Sequence, residues 1–331
     1  MNKRITASII AGTLLIIAIV FQSVNFFISD NFSESSQSMF SGNQQLSEKV
    51  IENGNSSNRI VRVNIEGTIM NTPGSNSNPF SGSGYQHEHV MKQMDKIIED
   101  PSIKGVLLYV NSPGGGVYES AEIHDKLMKI KDAGKPIYVS MGSMAASGGY
   151  YVSTPADRIY ASNETFTGSL GVIMENINYQ ELANEYGVKF NTFKSGKYKD
   201  IMSPTREMTG EEREIIQNLV DESYEQFVDV IAEGRDMPED KVYELADGRI
   251  YSGKQAVENG LVDKIGFRED ALKALKKEVG GNPQVIEFKN RIGSFFDLPL
   301  AESFMPNSEV RYIEKLISER QGPTMMYLYS E

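Results

Sequence analysis

The chain contains no cysteine, which excludes disulfides, thiolate metal ligands and cysteine nucleophiles and leaves any covalent catalysis to another residue type. Histidine is scarce too. Only His87, His89 and His124 occur, in polar stretches that read as exposed, so a Ser-His-Asp mechanism has little to draw on. His87-Glu88-His89 is a poor metal pair, because positions i and i+2 point apart on a helix. No metal or cofactor is expected. Positive charge is in deficit: 33 Lys and Arg against 45 Asp and Glu give a formal charge of −12, which repels phosphate backbones and argues against nucleic acid as a partner. Hydrophobic residues at 40% and charged residues at 24% of the 331 positions are ordinary globular values, unlike those of a multi-span membrane protein or a wholly disordered chain.

One long apolar run is present, at residues 5–29, directly after Lys3 and Arg4. As a helix it would extend about 38 Å, enough for a hydrocarbon core of about 30 Å. It ends in Gln22, Asn25, Phe26 and Phe27 without a small-x-small cleavage site, so it reads as an uncleaved transmembrane anchor. Lys3 and Arg4 before it, with Asp30 and Glu34 after it, place the N-terminus in the cytoplasm and the remainder on the extracytoplasmic side of the cell membrane, as a single-pass protein. Residues 30–57, rich in Ser, Asn, Gln and Glu, read as a polar linker. The expected division is therefore anchor 1–29, linker 30–57, catalytic body 58–295 and C-terminal extension 296–331.

Within the body, residues 59–69 alternate apolar and polar as a half-buried strand does, and the Pro, Gly and Ser cluster at 72–84 marks a loop. Helical spacing follows at 85–99, a short β-rich run at 104–110, a helix at 117–131 and a strand at 136–141. Further strands are expected at 158–161, 171–174, 188–193 and 284–288, with helices at 179–186 and 210–234 and three shorter ones before the last strand. The long helix should bury Ile215, Leu219, Phe227, Val228 and Ile231. Alternating strands and helices imply βαβ crossovers and a mostly parallel, buried sheet: an α/β fold.

Three segments carry chemistry. Ser147 sits in GSMAASGGYY (residues 142–151), where small residues allow a sharp turn and close approach of a substrate carbonyl. A helix starting there would aim free amides at an oxyanion, with Gly148 as the natural donor. The same serine could equally be a plain helix cap. NSPGGG (residues 111–116) follows an apolar strand and places flexible backbone at the carboxyl edge of the sheet, where ligands bind in open α/β folds. Gly114 is a candidate second donor, and the phosphate-loop patterns are absent. SGKYKD (residues 195–200) offers Lys197 and Lys199. A lysine acts as general base only when neutral, and moving its pKa from about 10.4 to about 7 requires roughly 4.6 kcal/mol of differential destabilisation, which apolar burial supplies. Spacing does not choose between the two.

These segments, with TFTGSLGVI (165–173), RIYSGKQA (249–256) and GLVDKIG (260–266), resemble the signal peptide peptidase A family, also called protease IV. The resemblance runs from about residue 58 to 266. It implies Ser147 as nucleophile, Lys199 as general base, oxyanion donors at Gly114 and Gly148, and a Ser169 hydroxyl that orients the lysine amine. It also implies the Clp-protease and crotonase type of fold, a spiral of βαβ units, here with an N-terminal transmembrane helix. Members build a ring- or dome-shaped homo-oligomer, an octamer among the candidate sizes, whose sites are in some arrangements shared between neighbours. The implied substrates are remnant signal peptides and other apolar peptides, and the implied lipid contact is the anchor. Two alternatives stand beside it: a non-proteolytic ring-forming membrane scaffold, and a crotonase-like acyl-transfer enzyme with an oxyanion hole and no serine nucleophile. The terminal TMMYLYS, after Gly322-Pro323, looks like an apolar peptide substrate and is a candidate inhibitor, cleavable tail or packing element.

Overall fold

The computed structural model describes residues 46–71, 85–290 and 325–329. The chain divides into two compact units, residues 1–46 with 290–304 and residues 47–289 with 305–331; almost all described residues belong to the second. The expected anchor at 5–29 lies outside the described residues, among which no helix is long and apolar enough to cross a membrane.

The sheet is assembled from β1 (Leu46–Glu52), β2 (Asn55–Glu66), β3 (Ile103–Ser112), β5 (Ile137–Ala146), β6 (Arg158–Ala161), β7 (Phe166–Gly168), β8 (Ile250–Ser252), β9 (Lys264–Ile265) and β10 (Pro283–Asn290). Its main path runs β1-β10-β2-β3-β5-β6-β9, with β7 on β5 and β8 on β7. Pairings from β10 through β2, β3, β5 and β6 to β9 are parallel, whereas β7 and β8 are antiparallel. Parallel neighbours require crossovers. These are supplied by α1 (His87–Glu99) between β2 and β3, α2 (Val117–Asp132) between β3 and β5, and the short α3 (Gly148–Tyr151) after β5. The mixed α/β architecture expected from the alternating pattern is present.

Burial explains why the central strands read as nearly continuous apolar runs. Helix α8 (Arg268–Val279) packs Ala271 and Leu275 on Ile60, Leu107, Tyr138 and Tyr160, while Val61, Val106 and Ile137, alternating to the opposite face, are also fully buried. Covered on both faces, such a sheet has no polar side. The long helix α5 (Gly210–Arg235) opens with a capping box between Thr209 and Glu212, and α7 (Gly253–Asn259) with one between Ser252 and Gln255. Helix α6 (Glu239–Leu245) lies between them in sequence.

Several expectations need correction. Part of the segment read as linker, Leu46–Glu52 and Asn55–Ser57, is strand: β1 and the start of β2 are held by sheet pairing and by Arg59–Glu48 at 2.7 Å and Lys276–Glu52, not by apolar burial. Residues 188–193 form no strand, and 171–174 contribute only a bridge from Ile173 to Met326. No residue from 175 to 199 is buried, the helix α4 (Gln180–Glu185) included. On α5, Phe227, Val228 and Ile231 are buried as expected, whereas Ile215 and Leu219 are 37% and 41% exposed. His87 is buried, contrary to its polar surroundings in sequence, because Tyr85 Oη contacts its Nδ1 at 2.5 Å and Glu122 its Nε2 at 2.9 Å.

Candidate active site

Ser147 occupies the junction between β5 and α3 with φ 52° and ψ −116°. This conformation is strained for a residue with a Cβ, and two backbone bonds hold it: the Ser147 N–H donates to Gly168 O at 2.8 Å, and its carbonyl accepts from Tyr151 N at 2.9 Å. Only 1% of the residue is exposed. A strand-to-helix turn this sharp presents a side chain at the sheet edge, and the Gly148 and Gly149 amides, in the first turn of α3, have no intrahelical carbonyl to meet.

The glycine loop β4 (Gly114–Gly116) lies against this turn. Gly114 has φ +108°, and a Cβ built on it would stand 2.8 Å from Gly148 N. Sequence thus brings two of its expected residues into contact from positions 34 apart in the chain. The Gly114 N–H itself donates to Ser112 Oγ at 3.0 Å. Gly115 is pressed on Ile69, whose carbonyl oxygen a Cβ would approach to 2.0 Å, so only glycine fits. Ser169, with φ 48° and 8% exposure, follows the Gly168 carbonyl that receives the Ser147 amide. Ser147, Gly114, Gly148 and Ser169 are therefore gathered in one place.

Lys199, unlike these four buried residues, is exposed. It lies exposed in a turn that its own N–H closes on Gly196 O at 3.2 Å, and among the described residues no hydrogen bond joins its Nζ to Ser147. It ends the stretch from 175 to 199 that buries nothing while exposing Ile177 at 72%, Tyr186 at 79% and Phe193 at 96%.

Strand β11 (Met326–Leu328) pairs antiparallel with β4, Leu328 opposite Gly114, Tyr327 opposite Gly115 and Met326 opposite Gly116. Flanking bonds from Val117 N to Met325 O at 3.3 Å and from Tyr329 N to Pro113 O at 2.9 Å make Gly115 and Tyr327 the pair that exchanges both backbone bonds. On its other edge Met326 exchanges bonds with Ile173, both at 3.0 Å. The Tyr327 carbonyl oxygen stands 2.0 Å from where a Gly114 Cβ would be, beside the Gly148 amide. Its ring is fully buried, stacked on Tyr151 at 5.0 Å and tilted against Phe227 at 4.5 Å, and its hydroxyl donates to Ser223 O at 3.1 Å. Ser223 Oγ also donates to Met325 Sδ at 3.3 Å. Burial holds the Tyr327 hydroxyl well above its usual pKa, so it stays a neutral donor. His124 stands edge-on to Tyr151 at 5.3 Å, and burial lowers its pKa.

Sequence reasoning missed this pocket. Tyr151 lay inside a quoted motif and Phe227 on a helix face, but what they jointly enclose depends on the approach of α3 to α5.

The arrangement offers a strained, sheltered hydroxyl, a glycine edge that binds extended backbone, and amides beside a peptide carbonyl. That is the geometry of acyl transfer from a peptide. Residues 129–282 match peptidase family S49 and residues 83–163 match Clp protease. The chain is 46% identical over 301 residues to an Enterococcus faecium protein described as signal peptide peptidase SppA, covering 89% of this chain and 87% of that one. It is 33% identical to Protease 4 of Haemophilus influenzae over 67% of this chain and 35% of that longer protein. Against the chloroplastic serine protease SPPA of Arabidopsis thaliana the identity is 32%, over 66% and 32%. A ClpP1 mutant structure from Listeria monocytogenes aligns with 64% of this chain and 94% of that one, at 20% identity and TM-score 0.41. With a relative so similar over nearly its full length, the chain belongs to the signal peptide peptidase A family of S49 serine peptidases.

Proposed function

We propose that the protein is a membrane-anchored serine endopeptidase in which Ser147 is the nucleophile and Lys199 the general base, acting on remnant signal peptides and similar apolar peptides. The observation that carries this reading is the seat of residues 325–329: an extended apolar segment paired on both edges, one side chain in an aromatic pocket and its carbonyl beside Gly148. A substrate strand would bind as this tail does, by edge pairing with a pocket for alternate side chains.

In the proposed mechanism neutral Lys199 accepts the Ser147 hydroxyl proton as Oγ attacks the scissile carbonyl. The oxyanion is held by Gly148 and the glycine loop; the Gly114 amide, expected as the second donor, is taken by Ser112 Oγ, so Gly114 supplies the positive-φ turn and the neighbouring Gly115, paired with Tyr327, supplies the amide. Collapse transfers a proton to the leaving amine and leaves an acyl-enzyme; a water activated by Lys199 then releases the acid. Ser169, adjacent to the Gly168–Ser147 bond, orients the amine. Because Lys199 is exposed in the isolated chain, a neighbouring copy completes the dyad: the 175–199 stretch docks its apolar residues on a second subunit and the amine loses its water there. This supports a ring- or dome-shaped homo-oligomer. Residues 5–29 provide the anchor, with the body on the extracytoplasmic side, next to peptides left in the bilayer by secretion.

Ser147→Ala and Lys199→Ala, made separately in the protein lacking residues 1–29, should each lower cleavage of an apolar peptide about 10³-fold or more. The wild-type rate should rise toward alkaline pH as the amine deprotonates. Two variants cleaving at the wild-type rate, or a profile peaking in mild acid, refute the assignment.

A further inference from the structure

A turn made of exposed residues does not fix an amine by burial, so polar contacts must set the position of Lys199. The next residue, Asp200, is enclosed chiefly by one side chain. Arg206 Nε donates to Asp200 Oδ2 at 2.8 Å, and Nη2 donates to Oδ1 at 2.8 Å and to the Asp200 carbonyl at 2.9 Å. The same guanidinium reaches α5, with Nη1 on Glu212 Oε2 at 2.8 Å and Nη2 on Oε1 at 2.5 Å. Glu212 is 2% exposed and is the acidic half of the capping box that opens the helix. Arg206 is thus a tie between the Lys199 turn and the first turn of α5.

The other charges around the turn are also engaged. Lys194 Nζ donates to Asp200 Oδ1 at 2.6 Å and to Lys197 O at 3.0 Å, Lys197 pairs with Glu211, and Tyr198 Oη donates to Glu211 at 2.9 Å. Glu207 accepts from Asn178 at 3.1 Å, and Arg213 and Glu214 line the groove of about 630 Å³ beside Arg206. The guanidinium and Lys194 hold the Asp200 carboxyl well below the usual carboxylate range, and Arg206 brings Glu212 down to about 2. Both acids are therefore charged and matched. Without Arg206, the Asp200 carboxylate keeps Lys194 as its partner but loses the guanidinium, which leaves more negative charge one residue from the proposed base and favours the charged form of an amine.

We propose that Arg206 is a positioning residue for Lys199: it ties the turn to α5 and shares the Asp200 carboxylate with Lys194, so that the amine reaches Ser147 with that negative charge matched. This rests on Lys199 being the base. The test is the pH dependence of kcat/KM on an apolar peptide for wild type, Arg206→Gln, Asp200→Asn and the double variant. Arg206→Gln should lower kcat about tenfold, leave KM nearly unchanged and move the rising limb about 0.5 unit to higher pH. Asp200→Asn, which removes one of the two carboxylates matched to Arg206 and Lys194 and retains the Glu212 contact, should move the limb to lower pH. The double variant should restore the wild-type limb while kcat stays low. A limb that stays put in both single variants overturns the proposal even if rates fall, because mere loosening does not change an ionisation. A shift in Arg206→Gln that persists in the double variant overturns it as well. If Arg206→Gln does not fold, Asp200→Asn alone decides by the direction of its shift. Lys199→Ala separates the two levels: an active Lys199→Ala protein removes the base assignment itself, whereas an inactive one with unmoved limbs elsewhere removes only the role of Arg206.

Discussion

At position 147 a serine adopts a backbone conformation that glycine would adopt more easily, and at position 114 a glycine adopts one that few other residues could. The two are coupled, since a Cβ at 114 would meet Gly148 N at 2.8 Å and the tail carbonyl at 2.0 Å. Gly114→Ala should therefore displace the loop from the amide that faces the substrate carbonyl and lower kcat about 10²-fold, the cost typical of one lost oxyanion donor. Steady-state kinetics on an apolar peptide checks this. The loss should persist after removal of residues 325–331, because only one of the two clashes involves the tail; a kcat within threefold of wild type contradicts the reading. At this scale the gathering of Ser147, Gly114 and Gly148 was legible in the sequence. Small residues around Ser147 and the run of three glycines advertise close backbone approach by their chemistry alone. Lys199 was not legible by spacing, since Lys197 two residues away is equally plausible, and only the ordered motifs of the family resemblance chose it. The contribution of Ser112, whose hydroxyl takes the Gly114 amide, gave no signal, because a serine before a proline is ordinary turn chemistry.

Among the elements, β11 has three residues, too few to stand without the partners on both its edges. Its sequence shows no strand period; Tyr327 anchors it by burying an aromatic ring between Tyr151 and Phe227. If substrate pairs with the glycine edge as proposed, a tail on the same chain would compete with it at an effective concentration of order millimolar. Removing residues 325–331 should then raise the rate on a weakly bound peptide several-fold, with the gain vanishing at saturating peptide. An unchanged rate at every peptide concentration would show that the tail does not compete. Elements formed by local rules were read well from sequence: α1, α2 and α5 match their expected spans within two residues because apolar periodicity and, for α5, a capping box act within a few positions. The failures are those where distant context decides. β1 forms because β10 offers it an edge, and residues 188–193 stay out of any strand because no edge reaches them. Alternation of Val188 and Phe190 describes a face, and a face can be covered by another molecule as readily as by the chain's own sheet.

For the whole molecule, the decisive contrast is between the proposed nucleophile Ser147, 1% exposed, and the proposed base Lys199 in a solvent-facing turn. A general base must be uncharged, and burial away from water favours the uncharged amine, so a working dyad needs the amine in a drier place. The 175–199 stretch exposes Ile177, Tyr186 and Phe193, more apolar surface in one segment than solvent contact explains, and contact with a second copy would cover it. If each site takes Ser147 from one subunit and Lys199 from its neighbour, the two inactive variants should complement each other. In a 1:1 mixture reassembled at random, a site is intact when a Lys199→Ala chain supplies the serine and a Ser147→Ala chain supplies the amine, which holds for about one quarter of sites in a head-to-tail ring. Activity near a quarter of wild type, rising with the completeness of subunit exchange, is the expected result. A dyad closed within one chain predicts none, because every chain in the mixture lacks one partner; activity no greater than the sum of the separate variants would place both groups in the same subunit.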